Sequence, residues 1–267
     1  MSFVFDHDYH IHSGLSLCSG DPEQTPERIL GYAKENNLKK ICITDHFWDD
    51  AVPGASDWYK KQNLAHVSVV KPLPEDATVE FLFGCETDMD KFFTLGMSLE
   101  CFDNFDFIIV PTNHLHMTGF TVYPEDKAKN DVLARLCIER LDRLLDMPLP
   151  FHKIGLAHLA CSLLNNRSRK DYLETLELMP TSELERIFRR VAEAGCGVEL
   201  NMYDVNVNDE EIDTVYRMFR VAKACGCKFY FGSDAHHPTD FKNASRIFGR
   251  AAMILGLAES DKFHISN

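Results

Sequence analysis

Asp8-Tyr9-His10-Ile11-His12 follows closely on Phe3-Val4-Phe5, and the two stretches read as an opening β-strand and its end. Side chains alternate between the faces of a strand, so Asp8, His10 and His12 are expected on one face, with Tyr9 and Ile11 on the other. Two imidazoles about 7 Å apart on one face can each offer a neutral nitrogen to one cation. One histidine there would read as a satisfied core residue. A His-x-His pair asks for a metal, and its partners must come from elsewhere in the chain.

Working outward, the loop from Ser13 to Gln24 leads to Thr25, a helix N-cap, and Pro26 at the first helical position, with Ile29, Leu30 and Ala33 forming an apolar stripe. Ile41-Cys42-Ile43-Thr44 is then a strand that stops at Asp45-His46, which completes a strand–helix–strand unit of the parallel crossover type. The same phrase recurs. Apolar strands over 79–84, 107–110, 154–157, 197–200 and 228–231 run into Glu86, His114, His158, Asn201 and the pair Asp234 and His236. Helices are expected over 58–70 and 124–146, from a capping-box match at Ser182 to Gly195, from Asn208 to Gly226, and over 241–255.

No low-complexity linker or shift in composition divides the chain, so residues 1–267 are expected to form a single α/β domain of barrel type. In α/β barrels the chemistry comes from the C-terminal ends of several strands. His12, His46, Glu86, His114, His158, Asp234 and His236 all stand at such ends. Each alone would read as a loop histidine, a cap or a surface carboxylate. Their convergence predicts a polynuclear metal site.

The 45% apolar content is ample for a core. A net charge of −13 without any block of Lys or Arg argues against extended nucleic-acid or anionic-membrane binding. It leaves room for a small phosphorylated substrate held by metals, or at most short oligonucleotides. The nine cysteines include no Cys-x-x-Cys pair, and the acidic start lacks the basic and apolar regions of a signal peptide. A cytoplasmic location with no membrane contact is expected.

The order His10-x-His12, Thr44-Asp45-His46, Gly84-Cys85-Glu86, Asn113-His114, His158 and Gly232-Ser233-Asp234-Ala235-His236 resembles the PHP (polymerase and histidinol phosphatase) family, motif by motif over nearly the whole chain. The length is similar to that of its stand-alone histidinol-phosphatase-like branch. The resemblance implies a distorted seven-stranded (β/α)7 TIM-like barrel that carries two to three divalent metal ions, Zn, Mn or Fe. It implies one ion on His10, His12, Glu86 and Asp234. A second would be bridged by Glu86 and held by His114 and His158, and a third would take His46 and His236. Many family members complete the third site with a histidine from the loop after His-x-His. Here that loop reads Ser13-Gly14-Leu15-Ser16-Leu17-Cys18-Ser19-Gly20-Asp21, leaving Cys18 or Asp21 to substitute.

Paired divalent ions turn water into a bridging hydroxide and clamp a phosphoryl group for in-line attack. The catalytic candidates are Glu86, as the bridge, and Asp45, as an orienter beside His46 or a general acid. The expected activity is that of a metal-dependent phosphatase on a small phosphomonoester such as histidinol phosphate. The alternatives are a phosphodiesterase or exonuclease on nucleotides, and a catalytically weak metal-binding regulatory protein. His7, His116 and His237 are expected to point away from the metals, Arg167, Arg169 and Lys170 read as a solvated loop, and Glu199 and Asn201 carry no assigned role.

Overall fold

The computed structural model describes residues 2–265. Among these residues eight strands are formed: β1 (His7–Ile11), β2 (Lys40–Ile43), β3 (His46–Phe47), β4 (Glu80–Thr87), β5 (Phe107–Pro111), β6 (Ile154–Ala157), β7 (Gly197–Asn201) and β8 (Lys228–Gly232). They make one sheet in the order β1-β2-β4-β5-β6-β7-β8, with β3 beside β4 and every pairing parallel. The ends of the sheet meet. Ile11 bridges to Ala235, the His12 amide donates to the Ala235 carbonyl at 3.0 Å, and the Asp234 amide donates to the His10 carbonyl at 2.7 Å. The result is a nearly closed, mostly parallel barrel of the distorted TIM type, its helices serving as the crossovers that parallel strands require.

Seven strands are present as expected, except that the first lies over His7–Ile11 and leaves Phe3-Val4-Phe5 outside it, and the eighth is β3. The chain does not leave the sheet at Asp45; it re-enters for two residues, pairing His46 with Glu86 and Phe47 with Thr87. A second departure concerns β1. Its register against β2 shifts between Asp8 and Ile11, which breaks the simple alternation. Asp8 therefore does not share the histidines' outlook. Its carboxylate accepts from the Tyr32 hydroxyl at 2.9 Å and the Ser233 amide at 3.0 Å.

Helix Pro26–Glu35 is capped as expected, with the Thr25 side chain accepting from the Arg28 amide and Ile29, Tyr32 and Ala33 buried. The helix expected over 58–70 is broken into Tyr59–Lys61, Leu64–Val67 and Ser68–Val70, because Asn63 starts a new turn by accepting from the His66 amide. The segment ahead of Asn130–Leu145 is a run of turns, closed by Lys129 donating to the Asp126 carbonyl and Asp126 to that of Tyr123. Helix Thr181–Ala194 starts at Pro180, whose carbonyl accepts from Glu183 and Leu184, so the capping box is not used. Beyond Asn208, Tyr216 divides Ile212–Val215 from Arg217–Ala224. Helix Arg169–Glu177 was not anticipated; Ser168 caps it by accepting from the Asp171 amide. Among the described residues no helix is long and apolar enough to cross a membrane.

The lower part of the barrel lumen is apolar, packed by Tyr9, Leu82, Phe107, Ile109, Tyr230 and Phe263. Gly155 makes room for two of these rings, since a Cβ there would lie 2.5 Å from both Phe107 Cζ and the Tyr230 hydroxyl oxygen. Phe263 is seated from below by its amide, which donates to the Phe229 carbonyl at 2.7 Å.

Candidate metal centre

Above that apolar packing, the C-terminal strand ends turn a set of imidazoles and carboxylates toward one another. His10 and His12, both fully buried, bring their Nε2 atoms to 3.1 Å. Each Nε2 also lies 3.3 Å from Asp234 Oδ1, and they stand 3.5 and 3.3 Å from Glu86 Oε2. The opposite nitrogens are already engaged. His10 Nδ1 donates to Glu199 Oε1 at 2.7 Å. His12 Nδ1 donates to Ser16 Oγ at 2.9 Å, and that hydroxyl donates on to Asp45 Oδ1 at 2.6 Å. A proton fixed on Nδ1 leaves the Nε2 lone pair free, and buried lone pairs aimed at carboxylate oxygens are the donor set of a divalent cation.

A second group forms where β4, β5 and β6 end. His158 Nε2 lies 3.0 Å from Glu86 Oε1, and the His114 and His158 rings stack with centroids 4.4 Å apart. His114 Nδ1 donates to Asp88 Oδ2 at 2.8 Å, where the Tyr59 hydroxyl also donates at 3.0 Å. Behind them the fully buried Arg140 stands 3.5 Å from Asp88 and donates to the carbonyls of Thr112 and Asp90. The third group joins His46 and His236 to the His12 ring, at centroid separations of 4.6 and 4.2 Å. His46 Nδ1 is buried without a hydrogen-bond partner, 3.1 Å from Glu86 Oε2. Among the described residues, three sets place their ligand atoms within 4.8 Å of one another: His10, His12 and Asp234; Glu86, His114 and His158; and His12, Cys18, His46 and His236.

The field at this barrel end favours cations. Burial works against charge on His10, yet Glu199, Asp234 and Glu86 raise its pKa well above the ordinary imidazole value. Glu86 is also buried, but His46 and His10 hold its carboxyl well below the usual range. Burial, with His12 beside them, keeps His46 well below normal and His236 down to about 4, so both offer neutral nitrogens. Carboxylate charge that favours a proton here favours a divalent ion equally. The backbone at two of these strand ends is unusual, with φ of 28° at His158 and 55° at Asp234, left-handed values a non-glycine residue holds only where its surroundings impose them.

His10, His12, His46, Glu86, His114, His158, Asp234 and His236 thus meet at one end of the barrel together with Cys18, whereas Asp21, the other candidate for the third position, accepts from the His237 ring instead. Asp45 stands one step behind them, its carboxylate accepting from the Ser13 amide and from the hydroxyls of Ser13 and Ser16. Glu199, Asp88 and Ser16 were not foreseen as partners of ligands. Asp88 carried a signal, lying two residues beyond Glu86, and Glu199 another, as a lone carboxylate between Val198 and Leu200. Glu199 also accepts from the His158 amide at 2.5 Å, and a Cβ at Gly232 would collide with Glu199 Oε1 and His10 Cβ. His237 turns away to Asp21, whereas His116 lines the cavity above the centre. That cavity, of about 520 Å³, is walled by Trp58, Tyr59, Met117, Phe120 and Leu163 over the ligand set. Arg169 is paired with Glu211 and Arg167 with Asp171, and neither lines it.

The sequence profile of the PHP domain matches residues 8–203. The chain belongs to the PHP family. The PHP match stops short of Asp234 and His236, which the barrel closure brings to the same centre. Over 235 residues the PHP chain is 23% identical to a protein described as a probable phosphatase from Caldicellulosiruptor saccharolyticus, covering 86% of this chain and 80% of that one. Its fold is similar to the crystal structure of histidinol phosphate phosphatase from Lactococcus lactis subsp. lactis, complexed with zinc, L-histidinol and phosphate. There the TM-score is 0.58 at 16% identity, covering 97% of this chain and 98% of that chain. The His, Asp and Glu clusters of this PHP barrel can hold divalent metal ions.

Proposed function

We propose that this PHP chain is a metal-dependent phosphatase acting on a small phosphomonoester, with histidinol phosphate as the first candidate, and that residues 1–267 act as one barrel domain. The observation that supports this most is how the cavity is lined. The three ligand sets open into it together, its remaining walls are largely aromatic and apolar, and among the described residues no Lys or Arg lines it. The charge of an entering phosphoryl group must be met, and cations bound by the ligand sets would meet it there.

Divalent ions held by these clusters supply Lewis-acid charge and a water activated near neutral pH. Glu86 is placed for sharing, with Oε2 toward His10, His12 and His46 and Oε1 toward His158. Glu199, Asp88 and Ser16 keep the imidazoles in the tautomer that leaves a lone pair facing inward. Asp45, which accepts three hydrogen bonds, acts through Ser16 as a positioning residue rather than as a general acid. Trp58, Met117, Phe120 and Leu163 enclose the organic part of the ester. The cavity volume suits a small molecule, whereas a polynucleotide needs an extended basic path, for which a net charge of −13 offers little support.

The test is hydrolysis by the purified protein supplied with Mn(II) or Zn(II). Histidinol phosphate and p-nitrophenyl phosphate should be turned over and a chelator should abolish the activity. Faster turnover of 3′,5′-bisphosphonucleotides or single-stranded oligomers would replace this reading with a nucleotide-directed one.

A further inference from the structure

The loop that follows His12 carries Cys18, and this cysteine differs from most of the others. Cys42, Cys85, Cys137, Cys196 and Cys227 are buried packing residues, whereas Cys18 is exposed and lines the cavity above the ligand sets. Its Sγ lies within 4.8 Å of ligand nitrogens of His12, His46 and His236. The loop is tied down on both sides of it. The Leu17 amide donates to the side chain of buried Gln62 at 3.0 Å, and the Ser19 hydroxyl donates to the carbonyl of His236 itself at 2.6 Å. Asp21 is committed elsewhere, accepting from the Glu23 amide and the His237 ring. Buried His46 Nδ1 makes no hydrogen bond and stands 3.1 Å from Glu86 Oε2, so a ring of this group is left with a nitrogen unsatisfied by the protein.

His12 Nε2 already faces His10, Asp234 and Glu86. The donors left to this third position are therefore one sulfur and two imidazoles, with a side open to the cavity. Three protein donors and an open fourth position are the pattern of catalytic rather than structural zinc. Thiolate selects soft or borderline ions, while Mn(II) is better suited by oxygen donors.

We propose that Cys18, as a thiolate, completes a third metal position with His46 and His236, and that this position takes Zn(II) or Co(II) in preference to Mn(II). The proposal rests on reading the two neighbouring clusters as metal sites. On binding, the Cys18 S–H gives its proton to solvent and the sulfur lone pair bonds the ion; no electron is transferred.

Cobalt substitution tests it without any assay of turnover. The wild-type protein loaded with Co(II) should show a near-ultraviolet sulfur-to-cobalt charge-transfer band. Cys18→Ser should lose the band and bind one cobalt fewer per chain. Cys18→His should recover that ion without the band, and Cys161→Ser, which alters the thiol near His158, should keep the band. Cobalt binding to the wild type without a thiolate band, or a band that survives in Cys18→Ser, would overturn the role of Cys18 and leave the other two clusters standing. No cobalt binding at all would overturn the metal reading with it. Wild-type protein also gives an answer that needs no variant. With Zn(II) at about ten times its Kd, alkylation of Cys18 by iodoacetamide, read by mass spectrometry, should slow by about tenfold through mass action. An unchanged rate contradicts the proposal.

Discussion

Where its strands begin, the barrel lumen is filled by Tyr9, Leu82, Phe107, Tyr230 and Phe263; where they end, it is lined by His10, Glu86, His158 and Asp234. On β4 and β8 the two regions are built on one strand face. Steps of two residues along β4 lead from Leu82 through Gly84 to Glu86, and along β8 and its end from Tyr230 through Gly232 to Asp234. On these two strands one period of alternation serves both the apolar packing at the bottom and the ligand set at the top, whereas on β1 the register shift brings His10 inward directly after Tyr9. The lower layer gains stability from apolar burial, while the upper layer gathers buried charges, which are costly to hold without a partner ion. Substitutions in the two layers should separate along those lines.

The largest effect belongs to Glu86→Gln. Removing the carboxylate charge that faces all three clusters should take turnover to background and lower the metal content measured after dialysis. A variant that keeps full metal content would unseat Glu86 from its shared position. In the lower layer, Phe107→Ala should cost about 3–5 kcal/mol of unfolding free energy, while the folded fraction still binds metal as the wild type does. Glu199→Gln sits between the layers. Losing the carboxylate that fixes His10 should weaken metal binding by about 10–100-fold, and titration with a chromophoric chelator would read it.

A subtler difference concerns pH. Asp204 is buried, with its Oδ2 accepting from the Ala160 amide. Burial, with Glu199 and Asp234 adding to it against the pull of His158, pushes its carboxyl from 3.8 up to about 8. The folded chain thus holds a proton that the unfolded chain releases near pH 3.8. Stability from this group is fully present below that pH, declines as pH rises, and is gone above about 8. In metal-stripped protein, Asp204→Asn should flatten the decline in stability over this window; an unchanged slope would mean that another group carries it. The smallest effect is expected of Arg169→Ala. It breaks an exposed pair with Glu211 and should change stability by less than about 1 kcal/mol, with no effect on metal content. A marked loss of phosphate affinity would instead bring that loop into the site.

The same contrast explains what was legible in the sequence. Strand ends announced themselves because an apolar run stops at a His, Asp or Glu, and that punctuation located the barrel and the residues that converge. β3 escaped because two residues carry no periodicity. Asp8 was misplaced because alternation fails across the register shift in β1. Glu199, Asp88 and Ser16 matter through what they touch across the barrel, and spacing along the chain does not encode such pairings. The capping match at Ser182 was a local signal that Pro180 pre-empted.

The most direct test is a metal count per chain on wild-type protein and on Glu86→Gln, equilibrated side by side with Zn(II) and then with Mn(II). A metal centre at the C-terminal end of the barrel requires the wild type to hold at least two ions per chain and the variant to hold fewer. Equal counts in the two proteins, or no stoichiometric metal in the wild type, would contradict it.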